Sequence, residues 1–336
     1  MESLKGLLIL FVVSAHAIMS VYEDLTPFLP VLRFMGPCVF VFVYLFGYSQ
    51  GKVKKNPLKI LKKALMFFLF YSFWASLSFL LYTTLGGRYS EVWTTQRVFN
   101  INDSLLKKYL ITLFSFTGSW QYYFVFVFLV LVILSILINN PVKIFPLSLI
   151  GALLNSAFVS FWFLTKDKLL PPIEGAFITY LSPVHWSFPY LLGYRDAYKG
   201  ERPSLKKRVL FFYAVFLIVG SLEYWNAYRK FHSLVGIDQF SLLGIALGIY
   251  SVGIFYWIAQ KMNFRVLRKV GRYSFLLFMI HMPFQWMVYV FLDTFIDLPR
   301  FLWVILMVTF SVMMMDILLK ISRHLPKAVR KLIVGV

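Results

Sequence analysis

Long apolar runs, each about the length of a membrane-spanning helix, alternate with short polar segments along this chain. A span needs about 20 apolar residues, because the hydrocarbon layer is about 30 Å thick and a helix rises 1.5 Å per residue. Ten runs come near that length, and they predict spans at 4–22, 31–50, 64–82, 120–138, 144–164, 176–194, 209–225, 239–259, 273–293 and 300–319. The predicted fold is all-α: a polytopic helix bundle that forms one integral membrane domain over residues 1–336.

The longest connection, residues 83–119, needs a separate interpretation. Its apolar end, residues 109–116, is too short to cross a membrane. We expect a re-entrant or interfacial segment there. The single cysteine, Cys38, excludes an intramolecular disulfide.

Basic residues are distributed unequally between the two sides of the predicted bundle. With the N-terminus inside, 24 of the 34 lysines and arginines fall in 1–5, 51–63, 139–143, 195–208, 260–272 and 320–336. This excess predicts that both termini are cytoplasmic. The net charge of +20 is therefore first a topology signal and predicts no nucleic-acid partner. It could also hold an anionic cytosolic ligand.

The first span has a lysine at its entrance and a histidine near its middle. Lys5 and His16 are eleven residues apart, which is within roughly 20° of three helical turns, so they share one face. The same spacing separates them by about 16 Å along the axis, so one elongated ligand could contact both. A histidine in a span can simply hydrogen-bond between helices. The shared face and the lack of a nearby compensating charge favour a functional role for His16.

Two further histidines occupy predicted spans. His281 lies at a depth comparable to that of His16, and Ser274 precedes it by two turns on the same face. We expect a functional role for His281, with packing or orientation as the alternative. His185 lies between two prolines, which free backbone carbonyls. A structural hydrogen bond to such a carbonyl is therefore favoured for His185 over a functional role.

Two acidic residues also lie within predicted spans. Glu223 is near the outer end of the seventh span, where it could bind a polar acceptor or extend to the interface with Tyr224 and Trp225. Asp316 precedes Lys320 by four residues, so an ion pair along the helix is the favoured interpretation.

Charged and aromatic side chains cluster at the predicted span ends. Six lysines follow the second span, at positions 52, 54, 55, 59, 62 and 63. Contact with anionic lipids is their default role, although Lys59 and Lys62, one turn apart, could bind phosphate. Trp120 and Tyr123 open the fourth span from the outside. An interfacial aromatic belt is favoured there, and stacking on sugar rings is the alternative.

Motifs for other chemistry are missing from the sequence. It contains no Gly-x-Gly-x-x-Gly, Walker, His-Glu-x-x-His or paired-cysteine pattern. A nucleotide-driven pump and a metalloprotease therefore have no support, and we expect no metal ion.

Four segments together resemble the acyltransferase 3 family of integral membrane acyltransferases. Residues 4–16, LKGLLILFVVSAH, match that family's first-helix pattern of a basic residue followed eleven positions later by histidine. Residues 40–48, FVFVYLFGY, resemble its Phe-rich second helix, and residues 59–62, KILK, fall where it tends to carry Arg-x-x-Arg. Residues 270–281, VGRYSFLLFMIH, resemble its late Gly-x-x-Ser segment, which ends in histidine.

This resemblance implies transfer of an acyl group, commonly acetyl from acetyl-CoA, to a hydroxyl of a glycan or lipid-linked sugar. The chain departs from the family pattern with lysine instead of arginine at 5, 59 and 62. Lysine lacks the bidentate geometry with which arginine binds phosphate. Phe46 and Phe278 replace the usual serine and tyrosine.

The predicted function is O-acyl transfer from cytosolic acyl-CoA. Lys5, Lys59, Lys62 and Ser274 would bind the donor. His16 would be the general base, since its unperturbed pKa of about 6.5 lies near working pH. His281 would orient the acceptor or stabilise the oxyanion. The predicted acceptor contacts are Trp120, Tyr123 and Glu223.

The predicted location is a bacterial cytoplasmic membrane, with lipids and the sugar acceptor as partners. The alternative function is a transporter or exporter of a glycan or another polar substrate. Ionisable residues and proline-interrupted helices at mid-membrane suit that function as well. Inverted repeats would favour it, and none is evident in the sequence.

Overall fold

The structure is a computed structural model that describes residues 1–51, 56–85, 104–114, 122–138, 140–165, 179, 182–203, 207–231, 240–262, 264–293 and 295–335. Within these residues all regular secondary structure is helical, which confirms the all-α prediction. The α-helices are α1 (Glu2–Val21), α2 (Leu29–Met35), α3 (Cys38–Gly51), α4 (Pro57–Leu85), α5 (Leu105–Phe114), α6 (Tyr123–Leu137), α7 (Pro141–Thr165), α8 (Pro183–Tyr198), α9 (Lys207–Phe231), α10 (Leu242–Lys261), α11 (Arg265–Arg272), α12 (Ser274–Asp293), α13 (Arg300–Ser322) and α14 (Lys327–Val334).

Eight segments of the described chain are long and apolar enough to cross a membrane. They comprise α1, residues 26–51, residues 57–81 of α4, α7, residues 210–231 of α9, α10, α12 and α13. The prediction of a polytopic membrane protein is therefore confirmed. The other two predicted spans correspond to α6 and α8, which have 15 and 16 residues. The beginnings of both predicted spans lie outside the described residues.

The second predicted span differs from expectation because it is not one continuous helix. The chain forms α2 and α3, which are separated by Gly36 and Pro37. Proline has no N–H to donate, and its ring clashes with the carbonyl four residues earlier, so a helix ends or bends there. The predicted span over 31–50 is confirmed as part of one membrane-length apolar segment, residues 26–51, and the interruption at Gly36 and Pro37 is the feature that was not predicted.

The helices form two compact units. The first comprises residues 1–56 and 133–272. Within it, α3 and α8 approach closely through two glycines. A Cβ added at Gly47 would overlap the backbone carbonyl of Tyr190, and one at Gly193 would overlap that of Tyr44. Small residues allow such backbone contact between helices, and larger ones would separate them.

The second unit comprises residues 57–132 and 273–336. Three of its helices meet at a stack of half-buried aromatic rings, in which Phe67 lies 4.1 Å from Phe128 and 4.2 Å from Phe275, measured between centroids. The C-terminal helix α14 is tied to α4, since the Trp74 indole N–H donates to the Ile333 carbonyl at 3.1 Å.

The long connection between the third and fourth predicted spans contains α5 in its described part. This helix has ten residues, so it is too short to cross a membrane. It packs within the second unit, where the Tyr71 hydroxyl donates to the Leu113 carbonyl at 2.9 Å. Its re-entrant or interfacial position stays a prediction, as does the single-domain organisation of the chain.

Candidate active site

Helix α1 carries Lys5 and His16 as the sequence predicts. Lys5 lies in the first turns, where its ammonium group is 3.2 Å from the Glu2 carboxylate and its side chain is 38% exposed. His16 is half-buried, and its backbone carbonyl accepts a hydrogen bond from Ser20 at 2.8 Å. The two side chains remain on one regular helix, so the predicted separation of about 16 Å applies.

A second basic element packs against the beginning of α1. A Cβ at Gly6 would overlap the Leu267 carbonyl, and one at Gly271 would overlap the Glu2 carbonyl. The backbones of α1 and α11 are therefore in contact at the end of α1 that carries Lys5. Helix α11 contributes four exposed basic side chains there: Arg265, Arg268, Lys269 and Arg272.

This basic end was missed in the analysis of the sequence. Gly271 lies in residues 270–281, which were identified only by their resemblance to a segment of the acyltransferase 3 family. Glycines at 6 and 271 signal a close helix contact only when their helices are known to cross. The four cations of α11 were included only in the charge count that predicts topology.

His281 lies in the second unit and is fully buried on α12. Its Nδ1 is 2.9 Å from the Phe278 carbonyl and 3.1 Å from the Leu277 carbonyl. Because carbonyl oxygens only accept, Nδ1 carries the proton, and in the neutral ring Nε2 then keeps its lone pair. This tautomer can accept a proton or a hydrogen bond at Nε2. Ser274 is buried at the start of the same helix, two turns earlier, as predicted.

A buried tyrosine next to a predicted acceptor contact links three helices of the second unit. The Tyr122 hydroxyl lies 2.8 Å from Ser78 on α4 and 3.2 Å from the Met279 carbonyl on α12. Its neighbour Tyr123, the predicted acceptor contact, is half-buried at the start of α6. Trp120, the other aromatic prediction there, lies outside the described residues.

Lys59 and Lys62 are exposed near the start of α4, one turn apart. This arrangement agrees with the predicted spacing and leaves both the phosphate and the lipid interpretations open. Lys63 is also exposed, whereas Lys52, Lys54 and Lys55 lie outside the described residues.

Glu223 takes part in a polar network in the first unit. Its Oε2 accepts from the Arg33 guanidinium at 2.8 Å and from the Ser241 hydroxyl at 2.9 Å. Arg33 is fully buried, and its guanidinium lies 4.5 Å from the centre of the Tyr224 ring. Glu223 also borders a cavity of about 60 Å³ that is lined by Ser160, Asn226 and Lys230 among others.

The interfacial alternative for Glu223 and Tyr224 is therefore wrong. Tyr224 is 2% exposed, and the carboxylate of Glu223 is bound to Arg33 inside the unit. Arg33 lies within the predicted span 31–50, and Glu223 lies within the predicted span 209–225. Two opposite charges in separate predicted spans were the available signal for this pair.

The structure also shows the contacts of His185 and of Asp316, for which the sequence predicts structural roles. The His185 ring is fully buried, and neither ring nitrogen has a hydrogen-bond partner within the described residues. Its favoured hydrogen bond to a freed carbonyl is therefore not formed there. The ring instead packs against Trp186 and Phe240 at centroid distances of 5.0 and 4.7 Å. The ion pair between Asp316 and Lys320 is confirmed at 3.5 Å.

Comparison with known protein families identifies the family of this chain. The family model for acyltransferase 3, described as an acyltransferase domain, matches residues 1–319. The chain belongs to the acyltransferase 3 family. The match covers all ten predicted spans and every predicted site residue, and it supports acyltransferase activity in a membrane. No match to the chain was found among the curated proteins or the solved structures.

Proposed function

We propose that this acyltransferase moves an acyl group, acetyl in the simplest case, from cytosolic acyl-CoA to a hydroxyl of a glycan or lipid-linked sugar. The observation that carries the proposal is the arrangement of α1. It has a basic end where α11 packs and a half-buried histidine three turns further along.

The basic end suits the donor because CoA is a polyanion with a long, flexible arm. Lys5 would contact its phosphates, and the exposed cations of α11 would add to the local positive potential. Lysine acts on phosphate as a point charge, so this attraction needs no bidentate geometry. Because Lys5 and His16 are about 16 Å apart, phosphates held at the basic end leave the arm free to extend toward His16.

His16 would serve as the general base. It would take the proton from the acceptor hydroxyl while the hydroxyl oxygen bonds to the acyl carbon. The thioester C–S bond then breaks, and the sulfur takes the proton from His16 and leaves as the free thiol of CoA, which restores the base. Alignment of the two reactants would supply much of the rate, since a thioester is already an activated acyl donor.

Residues of the second unit keep their predicted roles within this proposal. Lys59 and Lys62 are proposed phosphate contacts, and Ser274 is a proposed contact of the donor. His281 is proposed to orient the acceptor hydroxyl, which its Nε2 could do by accepting a hydrogen bond; the other predicted role, stabilisation of the oxyanion, would require a proton on Nε2. Tyr123 and Trp120 stay predicted acceptor contacts, as does Glu223 of the first unit.

The charge distribution also supports an orientation. We place both termini in the cytoplasm of a bacterial cell, because 24 of 34 basic residues then face inward. The basic end of α1 would open toward the compartment that supplies acyl-CoA.

The experiment that tests the proposal measures release of CoA thiol. The purified chain in nanodiscs is given acetyl-CoA and a sugar acceptor, and free thiol is followed with a thiol-reactive dye. Background is small because the sole cysteine, Cys38, is buried. We expect acceptor-dependent release that His16→Ala abolishes and His324→Ala, at an exposed site outside the spans, leaves unchanged. Release that does not depend on acceptor, or that survives His16→Ala, would contradict the proposed reaction.

A further inference from the structure

A groove of about 450 Å³ lies at the end of the first unit opposite to Lys5. It forms where the chain leaves α1 and approaches the last turns of α9. Its lining residues are Glu23, Asp24, Thr26, Trp225, Tyr228 and Arg229. Its volume falls within the range of about 300–1,000 Å³ that is typical of small-molecule sites.

Hydrogen bonds hold the loop side of this groove in one conformation. The Tyr228 hydroxyl accepts from the Leu25 backbone N–H at 3.2 Å and donates to the Glu23 carbonyl at 3.0 Å. The Asp24 carboxylate accepts from the Thr26 backbone N–H at 2.9 Å. These hydrogen bonds attach the loop to α9, so binding of a molecule in the groove would require little ordering of the loop.

The chemical groups of the groove suit a sugar ring. Trp225 is 45% exposed and offers a flat apolar face, and the Arg229 guanidinium lies 5.5 Å from the centre of that ring. Carboxylates and a guanidinium supply acceptors and donors for hydroxyl groups. An interfacial aromatic belt would explain Trp225 and Tyr228 alone. It does not explain two acids and an arginine that surround the same concave surface.

The charge of the groove limits which sugars it would take. Glu23 and Asp24 contribute two negative charges and Arg229 one positive charge. Hydrogen bonds from the Thr26 hydroxyl and its backbone N–H hold the pKa of Asp24 below its usual value, so this carboxyl stays ionised. The net negative charge opposes acidic sugars and favours neutral or amino sugars.

We infer that this groove is the subsite that binds the acceptor, and that it selects a neutral or amino sugar. The inference rests on the proposed function, because it takes the acceptor of that reaction to be a sugar. It adds Trp225, Tyr228, Asp24 and Arg229 to the residues predicted to contact the acceptor. None of them was selected from the sequence.

Direct binding tests the inference independently of catalysis. Saturation-transfer NMR is recorded on the full chain in nanodiscs, since maltoside detergents are themselves sugars. The probes are methyl glucoside (neutral), glucosamine (cationic) and glucuronic acid (anionic). We expect signals from the first two probes and none from the third. Trp225→Ala should weaken binding about tenfold, which corresponds to about 1.4 kcal/mol. Asp24→Asn should weaken only glucosamine, because asparagine can still accept from Thr26.

Trp257→Ala is the matched control, since Trp257 is 46% exposed on α10 and does not line the groove. Any of three results would overturn the inference. Trp225→Ala could bind the sugars as tightly as wild type does, or the two tryptophan variants could lose affinity equally. Glucuronic acid could also bind as tightly as methyl glucoside. Absence of acyl transfer would contradict the proposed function, but the binding experiment would still test whether the groove binds a neutral or amino sugar. Where transfer is measurable, Trp225→Ala should raise the acceptor KM about tenfold with little change in kcat.

Discussion

The ion pair between Arg33 and Glu223 gives a prediction that can be worked out from its surroundings. Its two side chains are unequally buried, with 1% of the Arg33 side chain and 23% of the Glu223 side chain exposed. Removing one partner of a buried pair costs about 3–5 kcal/mol, because the remaining charge stays in a low-dielectric site. The loss of unfolding free energy should therefore differ between variants that lack Arg33 and variants that lack Glu223.

Glu223→Met should be the more destabilising single substitution, near the upper end of that range. It leaves the Arg33 guanidinium without its carboxylate and away from water, and the remaining contact with Tyr224 stabilises that charge by only about 0.5–2 kcal/mol. Arg33→Met should lie near the lower end, since the Glu223 carboxylate is partly exposed and borders a cavity. The double variant should unfold within about 1 kcal/mol of wild type, because a buried pair is often replaced by apolar groups at no net cost.

The assay is unfolding of the purified protein by sodium dodecyl sulfate in mixed micelles, followed by circular dichroism. Lys320→Met is the control for loss of an ion pair at an exposed site. Its 3.5 Å contact with Asp316 should contribute no more than about 0.5 kcal/mol. Two results would refute the reasoning: a double variant whose loss equals the sum of the single losses, or single losses as small as that of the control.

Three further predictions concern catalysis, donor binding and packing. His16→Ala should lower the rate of acyl transfer by about 10²–10⁴-fold without changing the Kd of CoA, measured by calorimetry; a rate near wild type would exclude His16 as the base. Replacing Lys59 and Lys62 by alanine should raise the Kd of CoA and reduce its dependence on salt, because these charges are screened over about 10 Å at 0.1 M; an unchanged Kd would favour the lipid interpretation. Gly271→Ala should lower the melting temperature more than Gly151→Ala. The new Cβ would overlap the Glu2 backbone carbonyl in the first variant, but only a Val184 methyl group in the second. Equal decreases in melting temperature would contradict the close contact of α1 with α11.

Hydropathy predicted the helices well because crossing a membrane restricts both the length and the composition of a segment. The predicted and observed bounds of α1 and α12 differ by no more than two residues. The break at Pro37 was missed because the apolar run continues through it. Proline is also common within membrane helices, so its presence alone does not place a break.

Contacts between distant segments could not be obtained in this way. Arg33 and Glu223 are 190 residues apart, and hydropathy records only that each lies in or near a span. The groove at Trp225 requires the loop after α1 to meet the end of α9, which is a property of packing. By contrast, the shared face of Lys5 and His16 depends on helical periodicity within one segment, so the sequence was sufficient to predict it.

Helix α1 connects the features on which the two proposals rest. Lys5 is near its beginning, His16 is about 16 Å further along, and Val21, its last residue, lies about 7.5 Å beyond His16. Glu23 and Asp24 of the groove follow directly. A base placed at His16 is thus closer to the proposed acceptor end than to the proposed donor end. This asymmetry matches the reactants, because the pantetheine arm of CoA can extend from its phosphates whereas a sugar hydroxyl must stay near its ring. The sequence position of His16 on α1 is therefore itself an argument that the donor enters at Lys5 and the acceptor at Trp225.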